Sequence, residues 1–412
     1  MHAQDMWKTS TGRGITVALI DSGVDGSLTD LRGQVLDGKD FSGQQGDEHT
    51  DIAGHGTDMA ALIAATGARG PLNGSYGLAP GAKILPIRMR YATEGSEQLD
   101  NKAEFSRVLS KAVRYAADSD AQIINMSLGA SNSPGTQNAG TPELAAAVKY
   151  ALSKGKLLFA AVGNSGDKSN LTEYPAATPG VVGVGAADEK AKTASFSQSG
   201  PQVDLVAPGV HMVHACIGGS QICWTRGTSD ASAIASASAA LIWSKHLNWT
   251  NNQVLRVMLN TVSKPAGGEK HSDFVGYGGV RPRVALADPG DPGPPDEYPL
   301  PDLAASASPS PTAWRPTQPA ATEPDQGSPA APASHATGEG DTALWLGLGI
   351  AAAVLVGVVV TMLTRRARHR PTGMATPPAA PAAPPYPHFR AQTPSHPPQA
   401  PYQPPGGPGQ SV

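Results

Sequence analysis

The sequence is poor in charge and in cysteine, and it has no apolar run at its start. Asp, Glu, Lys and Arg make up only 16% of 412 residues, and the net charge is −3. That balance has no basic surplus to neutralise a phosphate backbone, so composition gives no sign of nucleic-acid binding. The chain has only two cysteines, which limits it to one internal disulfide. Cys216 and Cys223 flank a Gly-Gly turn in "CIGGSQIC". In an oxidising compartment that turn could close a short disulfide loop, with two free thiols as the alternative. The opening stretch "MHAQDMWKTSTGRG" lacks the apolar core of a secretion signal.

Glycine and proline are abundant, with 47 and 38 copies. The prolines crowd the second half. Residues 288–342 read as a Pro-rich linker that cannot bury enough apolar surface to offset the entropy of ordering. Next comes "ALWLGLGIAAAVLVGVVVTML" (343–363), uncharged and long enough to cross a bilayer as one helix. "RRARHR" (365–370) follows at once, so the positive-inside rule puts residues 364–412 in the cytoplasm and the large N-terminal body outside. The expected location is a cell membrane, spanned once. This topology requires export, so the chain is expected to start near a mature end or to lack a preceding segment. The tail is again Pro-rich, with polyproline II docking or simple filler as its readings.

Residues 1–287 form the expected globular domain. "GITVALID" (14–21), "AKILPIRM" (82–89), "AQIINMSLG" (121–129), "KLLFAAVGN" (156–164) and "GVVGVGAA" (180–187) are apolar runs of strand length. Between them lie helical patterns at 55–67, 101–119 and 141–155, the last with Pro at its start and Gly at its end. Alternation of buried strands and helices predicts an α/β fold with a mainly parallel central sheet flanked by helices. Functional residues should then gather at the carboxyl ends of the strands.

Four residues at such positions are ordinary one by one. Asp21 ends a strand, His55 starts a helix, Asn164 follows a strand in an Asn-Ser-Gly turn, and Ser229 suits a helix cap. Together they supply what amide hydrolysis needs. A serine becomes nucleophilic when a histidine accepts its proton, and a carboxylate on the other ring nitrogen orients that histidine. The oxyanion needs preorganised donors. Asp21, His55 and Ser229 would form the triad. The Asn164 amide and the Ser229 backbone N–H, at a helix start whose dipole favours negative charge, would form the oxyanion hole.

The order Asp, His, Ser is that of the subtilisin arrangement. The domain resembles the subtilisin-like serine proteases (subtilases, peptidase family S8). The matching stretches are "VALIDSGVD", "GHGTDMA", "NMSLG", "AAVGNSG", "VAPGV" and "GTS" at Gly227–Ser229, in the family's order across residues 10–265. The resemblance implies the subtilisin-like three-layer fold and serine endopeptidase activity on protein or peptide substrates, without a cofactor. It implies that Ser127, Leu128 and Gly129 line one edge of the substrate channel, where an extended peptide would add as a strand. It also implies that Ala160, Ala161, Val162 and Gly163 wall the primary specificity pocket. With the linker and single span, the layout is similar to the mycosins, membrane-anchored subtilases associated with type VII secretion, which makes secretion components expected partners. A scaffolding subunit with weak or vestigial proteolysis is the alternative.

Two features depart from or extend the pattern. Subtilases usually carry a bulky apolar residue after the nucleophile, and here Asp230 stands there. It would weaken the oxyanion site if it pointed inward, so it is expected to face solvent or Arg226. Asp37, Asp40, Asp47, Glu48 and Asp51 cluster loosely, but without the spacing of a calcium loop, and no metal is expected.

Overall fold

A computed structural model describes residues 2–91, 102–132 and 139–307. The apolar stretch 343–363, the basic and Pro-rich tail, and the linker from residue 308 onward lie outside the described residues. Among the described residues, no helix is long and apolar enough to cross a membrane.

The apolar runs fold as strands and the amphipathic stretches as helices. The strands are β1 (Thr16–Asp21), β2 (Lys39–Asp40), β3 (Lys83–Arg88), β4 (Ile123–Met126), β5 (Ala130–Ser131), β6 (Leu157–Ala161), β7 (Glu173–Tyr174), β8 (Val182–Ala187), β9 (Leu205–Pro208), β10 (Met212–Ala215) and β11 (Ile222–Thr225). The helices are α1 (Ala3–Trp7), α2 (His55–Ala64), α3 (Lys102–Asp118), α4 (Pro142–Ser153), α5 (Thr228–Lys245), α6 (Asn251–Asn260), α7 (Pro282–Ala287) and α8 (Pro301–Ala307). Seven strands form one parallel sheet in the order β2-β3-β1-β4-β6-β8-β9.

Strand alternation builds two cores, one on each face of this sheet. In β1, Val17 and Leu19 join α2, α5 and α6, while Ala18 and Ile20 join α3 and α4. The apolar runs predict this parallel sheet flanked by helices, and the family resemblance implies its three layers. Helix α5 is buried from Thr228 to Trp243. Its alanines and serines let it approach β4, β6, β8 and β9 closely, and larger residues would hold it off. Its hydroxyls do not go unsatisfied. Ser238 donates to the Ile234 carbonyl at 2.7 Å, and Ser232 and Ser236 donate to Asn125 Oδ1 at 2.8 and 2.9 Å.

Cys216 and Cys223 are bridged. They close the far end of the β10–β11 hairpin, where His214 pairs with Cys223 and Gly218 and Gly219 turn with positive φ.

The packed region extends beyond Ala287, into residues expected to begin the disordered linker. Leu300 is buried in the α5 core. Asp302 in α8 accepts the Gly180 N–H at 2.8 Å. Thr250 and Asn252 donate to the Pro295 carbonyl, and Gln253 donates to that of Gly293. A Pro-rich strip without a core of its own is ordered here because a finished body offers it donors and an apolar seat.

Candidate active site

β1, β4 and β6 are adjacent in the sheet, and their carboxyl ends meet the starts of α2 and α5. Asp21 ends β1 with its carboxylate 1% exposed. Its Oδ1 lies 2.7 Å from His55 Nδ1 and also accepts the Ser22 N–H. Because a carboxylate can only accept, Nδ1 carries the proton and Nε2 is left as the basic nitrogen. Gly56 permits this approach, since a Cβ there would stand 2.1 Å from the Gly23 carbonyl oxygen.

The start of α2 is held by Asp51, a residue that sequence reasoning had placed only in a loose acidic cluster. Asp51 accepts from the N–H groups of Gly54 and Thr57 and from the hydroxyls of Ser22 and Thr57. Ser22 in turn accepts the Gly56 N–H at 2.9 Å. Its neighbours in that cluster have structural partners as well. Asp40 pairs with Arg88 at 3.3 Å, and Glu48 accepts the Gly38 N–H.

The His55 ring stacks on Tyr91 with centroids 4.5 Å apart. Burial pulls the imidazolium pKa down, but the Asp21 carboxylate outweighs it and, with Asp230 and Asp58 further away, leaves it raised above the ordinary histidine value. Ser229 lies in the first turn of α5, 7% exposed. Its hydroxyl donates to the Ser127 carbonyl at 3.2 Å rather than to His55.

Asn164 follows β6. Its Oδ1 accepts the Thr228 N–H at 2.9 Å and the Thr228 hydroxyl at 3.1 Å, which leaves Nδ2 to point elsewhere. A Cβ on Gly227 would stand 3.7 Å from Asn164 Nδ2 and 3.6 Å from the Ser229 nitrogen. Both expected oxyanion donors therefore border the same small space.

A cavity of about 270 Å³ opens beside these groups. Ser127, Leu128 and Gly129 form one wall and Ala161 and Gly163 the other, with Ser229 and Asn164 at the edge. Ala160 and Val162, also expected in the pocket wall, are instead fully buried in the α3–α4 core. Alternation along β6 turns them away from Ala161. Glu173, absent from the sequence reading, also lines this cavity. Only a Glu before a Tyr-Pro turn marks it in the sequence, and that is no signal of a binding role.

Asp230 neither faces solvent nor meets Arg226. It is 2% exposed and accepts a short hydrogen bond from the Thr225 hydroxyl, while Arg226 stacks over Phe196. Because α5 is buried all round, its first turn has no solvent face to offer. The Thr225 oxygen also lies 2.9 Å from His214 Nε2, and His214 Nδ1 lies 3.0 Å from the Ala215 carbonyl. That carbonyl can only accept, so Nδ1 carries a proton. The threonine has one proton for two neighbours, so a further proton sits on Nε2 or on Asp230. Burial lowers the His214 pKa and raises that of Asp230, with the Thr225 hydrogen bond and the charges of His214 and His55 opposing the rise on Asp230.

The sequence matches the model of the Subtilase family over residues 12–278. It is 38% identical over 266 residues to the thermophilic serine proteinase of Bacillus sp. (strain AK1), a match covering 65% of this chain and 60% of that protein. The chain thus spans less than two thirds of the length of that relative. The fold is similar to the crystal structure of MycP1 from Mycobacterium smegmatis, with TM-score 0.62 and 28% identity over 72% of this chain and 85% of that one. It is also similar to the MycP3 protease from the type VII (ESX-3) secretion system, with TM-score 0.60 and 31% identity over 69% of this chain and 85% of that one. The chain belongs to the subtilase family.

Proposed function

We propose that the protein is a membrane-anchored, extracytoplasmic serine endopeptidase linked to type VII secretion. The observation that carries the hydrolytic reading is the 2.7 Å contact between Asp21 Oδ1 and His55 Nδ1, with His55 stacked on Tyr91 of a cleft that Ser229 and Asn164 also line. In the reaction, a rotation about the Ser229 side chain takes its hydroxyl from the Ser127 carbonyl to His55 Nε2. The oxygen attacks the scissile carbonyl carbon as its proton passes to His55. Asn164 Nδ2 and the Ser229 N–H receive the oxyanion, with the positive end of α5 behind them. His55 then gives its proton to the leaving amine, and water hydrolyses the acyl-enzyme by the same route. Asp21 fixes the tautomer and stabilises the imidazolium throughout.

The anchored and secretion-linked part of the reading rests on other observations. The uncharged stretch 343–363 with its flanking arginines supports one span with residues 1–342 outside. The similarity to MycP1 and to MycP3 of a type VII system supports the secretion link.

A fluorophosphonate probe tests the chemistry. The protein is expected to label covalently and Ser229→Ala is expected not to. Absence of labelling in a folded protein, or equal labelling of the two, overturns the endopeptidase reading.

A further inference from the structure

The cavity beside Ser229 is lined by a carboxyl group, that of Glu173, which no cation among the described residues answers. Glu173 begins β7, which pairs with β5 immediately after the Ser127–Gly129 wall. Its carboxyl group is wedged between the two walls. A Cβ built on Gly129 would lie 2.9 Å from Glu173 Oε2, and one built on Gly163 would lie 2.6 Å from its Cδ. Both walls are glycine at that level, so the slot narrows onto the carboxylate. Gln198 Nε2 donates to Oε1 at 2.7 Å and is itself steadied by the Ser165 hydroxyl at 2.8 Å. Oε2 accepts no hydrogen bond from the described residues and is not sealed in the interior. Arg90 lines the same cleft, but among the described residues no cation lowers the Glu173 pKa.

Burial pushes the Glu173 carboxyl up to about 7, with only the Gln198 bond opposing it. A desolvated carboxyl without a counter-charge is costly to the protein alone. The arrangement becomes favourable when a ligand brings the missing charge. An apolar side chain entering the slot would leave Oε2 buried and unpaired, and an acidic one would add repulsion. A long side chain ending in a cation removes the cost, passing its methylenes between the glycine walls.

We propose that Glu173 makes this slot a receptor for lysine or arginine, so that cleavage follows a basic residue on the acyl side of the scissile bond. The inference rests on the endopeptidase reading for its chemistry, but the receptor itself can be probed without catalysis. Glu173 acts here as a specificity residue and takes no part in bond breaking.

The experiment has two arms. In the first, kcat/KM is measured on peptides differing only in that residue (Arg, Lys, Gln, Leu, Glu) and normalised to the sites titrated by the fluorophosphonate. Basic peptides are expected to lead. Glu173→Gln is expected to lower the Arg-to-Leu ratio on the order of 10²-fold, the scale of an unmatched buried charge pair. A merely structural role would lower all five together and leave the ratio unmoved. In the second arm, benzamidine binding is measured by thermal shift in Ser229→Ala, where catalysis is off, and in Ser229→Ala with Glu173→Gln. Binding is expected in the first protein only. Failure to label with benzamidine binding intact strikes the endopeptidase reading and spares the pocket. Labelling with a lead for Leu or Glu peptides, an unmoved ratio, or benzamidine binding that ignores Glu173 overturns the pocket.

Discussion

At the scale of single residues, the charge state of Asp230 bears on the proposed oxyanion site. An ionised carboxylate one residue from the nucleophile would oppose the developing negative charge. The hydrogen-bonded chain from Ala215 through His214 and Thr225 ends on Asp230, whose pKa burial raises against the pull of Thr225, His214 and His55. As an anion Asp230 also adds to the charge that raises the His55 pKa, after the larger effect of Asp21. For the proposed hydrolysis, kcat/KM is expected to rise with pH as His55 loses its proton, with a midpoint above the ordinary 6.5 because its pKa is raised. Asp230→Asn removes the carboxylate charge and is expected to lower the midpoint, by less than loss of the Asp21 charge would. An unmoved midpoint in the measured pH–rate profile would mean that Asp230 carries no charge. Asp21, His55, Asn164 and Ser229 were readable as candidates because each sits beside a short motif at a strand or helix end. The direction of Asp230 was not. Reading it needed the burial of α5 on every side and partners on β10 and β11, which lie close in the fold but carry no motif.

At the scale of elements, α5 and β4 are locked by polar contacts that periodicity does not reveal. Asn125 is fully buried in the middle of a strand, where an amide is costly unless satisfied. Its Oδ1 takes the hydroxyls of Ser232 and Ser236, and its Nδ2 donates to Ser127 Oγ. Ser127 Oγ then donates to the Ser229 carbonyl at 3.1 Å. The first turn of α5 is thereby fixed to the wall of the cleft. The apolar runs were enough to identify β1, β4, β6 and β8, because buried parallel strands are continuous in sequence. The serines of α5 looked interchangeable because their partner is more than 100 residues away. Asn125→Ala would leave two hydroxyls of α5 buried without their acceptor. It is expected to cost about 2–4 kcal/mol in denaturant unfolding. A loss under about 0.5 kcal/mol would show that the hydroxyls find other acceptors. The same variant is expected to weaken the chemistry more than stability alone explains, because Ser127 and Ser229 lose their common tether.

At the scale of the whole molecule, the question is where the folded body ends. Proline content drew the boundary at Ala287, yet the strip 288–307 is fastened at several points. Leu300 buries its side chain, worth roughly 1.5–3 kcal/mol when fully removed from water. Asp302 holds the turn before β8, and Arg256 donates to the Glu297 carbonyl at 2.8 Å. Composition measures how well a segment could form its own core, and this segment uses one already built by α5 and α6. The strip also covers side chains at the start of α6, whose capping box is made by Thr250 and Gln253. A chain ending at Ala307 is therefore expected to unfold cooperatively. A chain ending at Ala287 should expose the seat of Leu300 and lose the Asp302 contact. Its midpoint is expected to fall by roughly 3 °C or more, the shift that a loss of about 2 kcal/mol produces in a domain of this size. Calorimetry of the two chains decides it. Equal midpoints would return residues 288–307 to the linker, whereas the expected gap would make them the last piece of the domain that carries the site.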